Sequence, residues 1–204
     1  MRTKTRAWFA LTGMLALLLI GVAGFGAAWA WNTHRAQQVN QLESRTVSVT
    51  VAEDFPSKTV DKGATKTKKV TVQNTGNAAA FVRVSYAEYW TTATEQLAGA
   101  TKVTKTWTDD WTGYFERHDD GWYYYKKVLP AGESVQVLES VTFPANVTAG
   151  ASYHLDFQVE TVQVSDEAEV NTDATRTLFG SAATVANMTT SYGAVTGGTV
   201  TWTN

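Results

Sequence analysis

The chain of 204 residues contains no cysteine, which excludes disulfides, thiol nucleophiles and cysteine-bound metals. Its three histidines, His34, His118 and His154, lie far apart in the sequence and in no helical metal-binding motif. There is also no Gly-x-Ser-x-Gly motif and no glycine-rich loop of the kind that holds phosphate. Because no catalytic centre can be identified, we predict that the chain is not an enzyme.

Positive charge is scarce and is not concentrated in a stripe. The formal net charge is −2, and removal of the first 30 residues, whose only charges are Arg2, Lys4 and Arg6, would make it −5. A mildly acidic body without a basic surface argues against nucleic acid as a partner. With 44 % apolar and 12 % aromatic residues, the chain can nevertheless bury a core.

Residues 1–30 have the features of an export signal. Three positive charges precede the uncharged segment 7–28, and Ala28 and Ala30 supply the small side chains that signal peptidase needs beside the cleaved bond. We expect cleavage after Ala30, which leaves Trp31 as the new N-terminus. The alternative is that the apolar segment stays as an uncleaved membrane anchor. In both cases the signal segment is the membrane-associated part, and the rest of the chain is extracellular.

Residues 31–55 are predicted to be a tether followed by a strand. The segment 34–45 is polar, without glycine or proline. The segment 46–51 then alternates between polar and apolar residues, which places Val47, Val49 and Val51 on one face of a strand.

Residues 56–204 are predicted to form one all-β domain. A hairpin is expected from strands 68–74 and 80–86, joined by Asn74-Thr75-Gly76-Asn77, since Asn and Gly tolerate the positive φ of a tight turn. Segment 164–177 is acidic and is predicted to be a surface loop or a short helix. Further strands are expected at residues 103–108, 122–128, 134–143, 153–164 and 199–203. This pattern indicates a single β-sandwich of jelly-roll or immunoglobulin-like type after an N-terminal signal helix.

Aromatic and acidic residues supply the candidate ligand contacts. In the aromatic stretch 107–125, Trp111 and Tyr114 are candidates for stacking against sugar rings, although we favour core packing for most of these rings. No cofactor is predicted. A calcium ion at Asp109-Asp110 or at residues 118–120 is the one metal considered, and we favour an ordinary turn at 118–120.

Three stretches resemble the TasA/camelysin-type exported proteins, above all the BsaA-like branch. They are Gly21-Val-Ala-Gly-Phe-Gly-Ala-Ala-Trp-Ala-Trp, Val70-Thr-Val-Gln-Asn-Thr-Gly-Asn followed by Phe81-Val-Arg-Val, and Asp120-Gly-Trp-Tyr-Tyr-Tyr-Lys-Lys-Val-Leu-Pro-Ala-Gly-Glu-Ser. The resemblance implies a jelly-roll-like sandwich, cleavage by a SipW-type signal peptidase and a place in an extracellular biofilm-matrix or pilus-like fibre. It also implies that an N-terminal strand of one subunit completes a sheet of the next.

The favoured hypothesis is therefore a secreted fibre subunit that self-associates through the strand bearing Val47, Val49 and Val51. Pairing of this strand within its own domain is the alternative at that site. A cell-surface adhesin or carbohydrate-binding module that uses the aromatic stretch 107–125 is the second hypothesis. A metal-dependent protease is the third and the least favoured.

Overall fold

The computed structural model describes residues 47–54, 62–97 and 102–203. The signal-cleavage residues Ala28, Ala30 and Trp31 lie outside these ranges. The described chain is mostly β, with antiparallel sheets, which confirms the predicted class. Within these ranges no helix is long and apolar enough to cross a membrane.

The described elements are eleven strands and two short helices. The strands are β1 (Val49–Asp54), β2 (Thr65–Asn74), β3 (Ala80–Thr91), β4 (Gln96–Leu97), β5 (Thr104–Trp107), β6 (Phe115–Arg117), β7 (Tyr123–Tyr125), β8 (Ser134–Thr142), β9 (Ser152–Gln163), β10 (Ala182–Ser191) and β11 (Ala194–Thr203). The helices are α1 (Asp109–Tyr114) and α2 (Ala168–Phe179).

Two antiparallel sheets share one core. The first sheet has the order β1-β2-β8-β5. In the second sheet β3 pairs along its whole length with β9, while its other side pairs with β4 and β7, and β6 lies beyond β7. Alternate residues of β3, such as Val82 and Val84, point towards the first sheet and pack against apolar residues such as Val72 and Val137.

A second core lies on the opposite face of β3. Phe81 and Tyr124 of the second sheet pack there against Phe179 of α2 and Trp202 of β11. The Trp202 indole nitrogen donates to the Tyr125 carbonyl oxygen at 2.9 Å, which satisfies the polar atom of this buried ring. Helix α2 and the β10–β11 hairpin therefore form a third layer, here called the outer layer, over one end of the second sheet.

The predicted hairpin at residues 68–86 is wrong, because β2 and β3 lie in different sheets. The neighbours of β2 are β1 and β8, whereas β3 pairs with β9. The chain crosses between the sheets at Asn74, which is fully buried. Its amide nitrogen donates to the carbonyl oxygens of Ala78 and Leu129 at 2.8 and 3.0 Å. Its Oδ1 atom accepts from the Gly76 backbone nitrogen at 3.0 Å. None of residues 74–77 has a positive φ, so the side chain of Asn74 organises the crossing instead of a tight turn.

Candidate functional site

Strand β1 forms one edge of the first sheet. It begins three residues later than the alternating segment 46–51 indicated, and β2 is its only strand partner in the described ranges. The register pairs Val49 with Asn74 and Val51 with Val72. Val47 is 4 % exposed and belongs to the shared core, and Val49 and Val51 are half-buried against it. The predicted inward face of this strand is thus observed, paired here within its own chain.

The N-terminal end of β1 is fixed to the crossing between the sheets. The Ser48 carbonyl oxygen accepts from the backbone nitrogens of Thr75 and Gly76, at 2.7 and 3.1 Å. The Thr75 hydroxyl donates to the same oxygen at 3.1 Å. The site that receives β1 therefore combines an apolar wall from β2 with a cluster of donors at one end. We call this site the β1 groove.

The other end of the β1 groove carries charge. Lys68 lies on the inward face of β2 with Val70 and Val72, and it is only 7 % exposed. Its ammonium nitrogen is 2.5 Å from Glu53 Oε2. Glu53 is the next inward position of β1 after Val51 and lies opposite Val70. The inward face of residues 47–53 therefore consists of three valines followed by one carboxylate.

Trp111 does not offer a ring to a ligand. It is 6 % exposed, and its ring stacks on those of Trp107 and Phe115 at centroid distances of 4.7 Å. The prediction that Trp111 presents its ring to a sugar is wrong, because α1 turns this side chain inward, towards the shared core. Tyr114, the other predicted contact, is 37 % exposed, and the Lys127 ammonium lies 3.2 Å from the centre of its ring.

A polar cluster that the sequence did not reveal surrounds Arg83, which is 9 % exposed. Its guanidinium donates to the carboxylates of Glu160 and Asp120, to the Tyr124 hydroxyl and to the Phe179 carbonyl oxygen. Burial and the hydrogen bond to Asp120 raise the pKa of Tyr124. Glu160 and Tyr124 lie on strands of the second sheet, whereas Phe179 ends α2 of the outer layer. The cluster therefore joins these two layers.

The outer face of the second sheet also carries an aromatic pair at its other end. Tyr89 of β3 lies directly opposite His154 of β9, and their rings stack in parallel at 4.7 Å. The Tyr89 hydroxyl donates to Asp156 at 3.0 Å, and this hydrogen bond raises the pKa of Tyr89. The Thr91 hydroxyl lies 2.9 Å from His154 Nε2.

No metal site is found in the part of the chain that the structure describes, where no three His, Asp or Glu side chains are grouped to hold an ion. The favoured interpretation of residues 118–120 as part of a turn is confirmed. Gly121 has a φ of 85°, and the Trp122 nitrogen donates to Asp120 Oδ1 at 3.0 Å. Asp109 and Asp110 lie in the first turn of α1, after the N-cap Thr108.

Comparison of the chain with known protein families and with curated protein sequences finds no match.

Proposed function

We propose that the chain is a secreted structural subunit of an extracellular biofilm-matrix or pilus-like fibre, assembled by exchange of β1 between neighbours. The observation that carries the proposal is the place of β1. It is an edge strand that precedes all other described strands, and β2 is its strand partner in the described ranges. Its Val49 and Val51, together with Val47 just before it, pack in the core. A neighbour's β1 can supply the same side chains and the same backbone hydrogen bonds.

The chain between β1 and β2 supports exchange. Ten residues, 55 to 64, join the two strands. Such a segment reaches roughly 30 Å when extended, which is enough for β1 to leave its own groove without disturbing β2. Exchange in one direction from chain to chain produces an open filament instead of a closed dimer.

The resemblance to TasA/camelysin-type proteins supports the same proposal. The proposal also includes export through residues 1–30 and cleavage after Ala30 by a SipW-type signal peptidase. It assigns no catalytic activity to the chain. The finer fold assignment, a single β-sandwich of jelly-roll or immunoglobulin-like type, belongs to the proposal as well. Its support is the pair of antiparallel sheets with a shared core and the chain crossing between them at Asn74.

A disulfide between β1 and β2 tests the proposal directly. Thr50 and Gln73 are exposed and directly opposite each other, and the chain has no cysteine of its own to interfere. In chains carrying Thr50→Cys and Gln73→Cys, oxidation before assembly is expected to lock β1 in its own groove and to prevent filaments. Oxidation after assembly is expected to join chains covalently, which gives a ladder on a non-reducing denaturing gel.

The matched control joins two strands that do not exchange. Ser85 and Gln158 are opposite each other on β3 and β9, and a disulfide between them should give monomers on the same gel and leave assembly intact. Filaments of the Thr50/Gln73 variant that run only as monomers after oxidation would show that β1 stays in its own chain.

The proposal also predicts that residues 31–204 form filaments and that residues 56–204 remain monomers. Light scattering and negative-stain microscopy measure this difference.

Carbohydrate binding is the second candidate function. Its candidate site is the Tyr89–His154 pair instead of Trp111. The Tyr89–His154 stack, flanked by Asp156 and Thr91, presents rings beside hydrogen-bonding groups on an open sheet face. If the chain binds glycans there, Tyr89→Ala will abolish retention by polysaccharide in affinity electrophoresis and Tyr114→Ala will not. Equal mobility of all chains with and without polysaccharide would remove this candidate.

A further inference from the structure

Three inward valines, Val47 just before β1 and Val49 and Val51 within it, do not by themselves fix how the strand enters the β1 groove. A slip by one residue turns all of them to the outer face and is excluded by the loss of core packing. A slip by two residues moves the strand by about 7 Å and again presents valines inward, because Val47, Val49 and Val51 repeat at the period of the strand. Apolar packing alone therefore discriminates poorly between registers two residues apart.

Charged residues at both ends of the valine series remove this ambiguity. In one two-residue slip, Glu53 would lie opposite Val72 instead of Val70, which places a carboxylate deeper among valines and away from Lys68. In the opposite slip, Arg45 would take the inward position of Val47, a core position that is 4 % exposed. The observed register is the one that buries three valines and brings Glu53 to Lys68.

We propose that the Glu53–Lys68 ion pair selects the register and the identity of the strand that enters the β1 groove; this inference rests on the proposed strand exchange. The side chain of Lys68 is 8 % exposed, so an ammonium in this place strongly favours a strand that brings an anion. A foreign alternating strand with valines but no carboxylate at the fourth inward position would fill the apolar part of the groove without forming the ion pair to Lys68. The correct donor is then a second copy of this chain, selected by charge as well as by shape.

Two charge-reversed chains test this selection. Glu53→Lys places a lysine on the donor strand and keeps the natural groove, whereas Lys68→Glu keeps the natural donor and places a glutamate in the groove. Each variant alone brings like charges together in its own β1 groove and in every junction, so β1 is expected to stay detached in both, and polymer yield should fall by about tenfold or more relative to the natural chain. In an equimolar mixture every junction between unlike chains has one positive and one negative partner. Strictly alternating polymers should therefore form at close to the natural yield.

Exposed residues of the same kinds provide the controls. Lys102→Glu reverses an exposed lysine that lies just before β5, and Glu139→Lys reverses an exposed carboxylate on β8. Both chains should polymerise as the natural one does, by light scattering and negative-stain microscopy. Recovery in the mixture also shows that both reversed chains are folded. If polymer yield does not recover in the mixture, the polymer yield of the Glu53→Gln chain tests the inference, since this variant keeps the side-chain shape and removes only the charge.

The outcomes separate the inference from the proposed function. A natural chain that forms no polymer overturns strand exchange, and the selection inference falls with it. A natural chain that polymerises while Glu53→Lys and Lys68→Glu each polymerise equally well alone overturns only the inference. Polymer yield of Glu53→Gln equal to that of the natural chain overturns it as well. Loss of polymer in each reversed chain and its recovery in the mixture support both.

Discussion

Arg83 of β3 lies directly opposite Glu160 of β9, and two of its guanidinium nitrogens donate to the same carboxylate oxygen, at 2.9 and 2.5 Å. A third nitrogen donates to the Phe179 carbonyl oxygen, at the end of α2, at 2.8 Å. The guanidinium also lies over the rings of Trp122 and Phe179, each at 4.5 Å. One side chain thus holds the second sheet and the outer layer together.

Replacement of Arg83 is expected to loosen the outer layer. Arg83→Met removes the charge-assisted hydrogen bonds to Glu160 and Asp120, whose side chains are 32 % and 38 % exposed, and this should cost about 1.5–3 kcal/mol of unfolding free energy. Urea denaturation measures this loss. Arg176→Met is the matched control, because Arg176 is 63 % exposed and 3.8 Å from the exposed Asp173. Its expected change is below about 1 kcal/mol, and equal losses in the two variants would contradict the role given to Arg83.

The crossing at Asn74 gives a second prediction. Asn74→Ala removes both donors to the Ala78 and Leu129 carbonyl oxygens and leaves these groups without that partner, which costs about 1–3 kcal/mol of unfolding free energy. Asn74→Asp should cost more at neutral pH, since it aims a carboxylate at the same two carbonyl oxygens. Asn146→Ala, at an exposed position, serves as the control. Denaturation midpoints that agree for all three variants would show that the side chain of Asn74 does not organise the crossing.

Alternation along the chain predicted most strands but not their partners. The period of two correctly places Val70 and Val72 inward, yet it is the same whether the next strand is a hairpin partner or lies in the facing sheet. Strand β10 was missed because its residues, Ala182–Ser191, contain few large apolar side chains and bury mainly the first two. Pairing depends on long-range contacts that no local pattern encodes.

The sequence did not decide between a loop and a helix for the segment that forms α2, and the reason is different. Its buried positions follow helical spacing, but two of them, Asn171 and Thr175, are polar. Asn171 bonds the backbone of Ser165, and the Thr175 hydroxyl accepts from the Ala183 nitrogen of β10 at 2.8 Å. Thr172 donates to the Ala183 carbonyl oxygen at 3.2 Å. Hydrogen bonds, together with the packing of Phe179, hold this helix against the start of β10. Because two of its three buried positions are polar, apolar periodicity could not detect it.

The candidate site was predictable in its apolar part only. The valines of β1 follow from alternation, whereas the pairing of Glu53 with Lys68 requires the register between β1 and β2. Trp111 lies in a segment of mixed character, and only the orientation of α1 decides that its ring is buried.

The aromatic rings of α1 yield a third prediction, because Trp111 and Tyr114 differ in burial. Trp111→Ala removes a ring packed against Trp107, Phe115 and Tyr123 and should cost about 3–5 kcal/mol of unfolding free energy. Tyr114→Ala removes an exposed ring with one cation contact, worth about 0.5–1 kcal/mol. Urea denaturation of the two variants compares the losses. A larger loss for Tyr114→Ala would contradict the observed orientation of α1.

Buried tyrosines make the fold sensitive to alkali. Burial raises the pKa of Tyr125 to about 12, and burial together with the nearby Glu88 also raises the pKa of Tyr153. An unfolded tyrosine titrates near pH ~10. Between pH 10 and about 12 the unfolded chain therefore loses protons that the folded chain keeps, and the unfolding free energy falls as pH rises.

The contribution of each such tyrosine is complete below pH ~10 and declines by up to about 1.4 kcal/mol per pH unit above it. Urea denaturation at a series of pH values across this range measures the slope. Tyr125→Phe removes one of the late-titrating groups and should make the decline shallower. Tyr192→Phe, at a fully exposed ring, should leave it unchanged. A slope that is the same in the natural chain and in Tyr125→Phe would show that the Tyr125 hydroxyl titrates as freely in the folded chain as in the unfolded one.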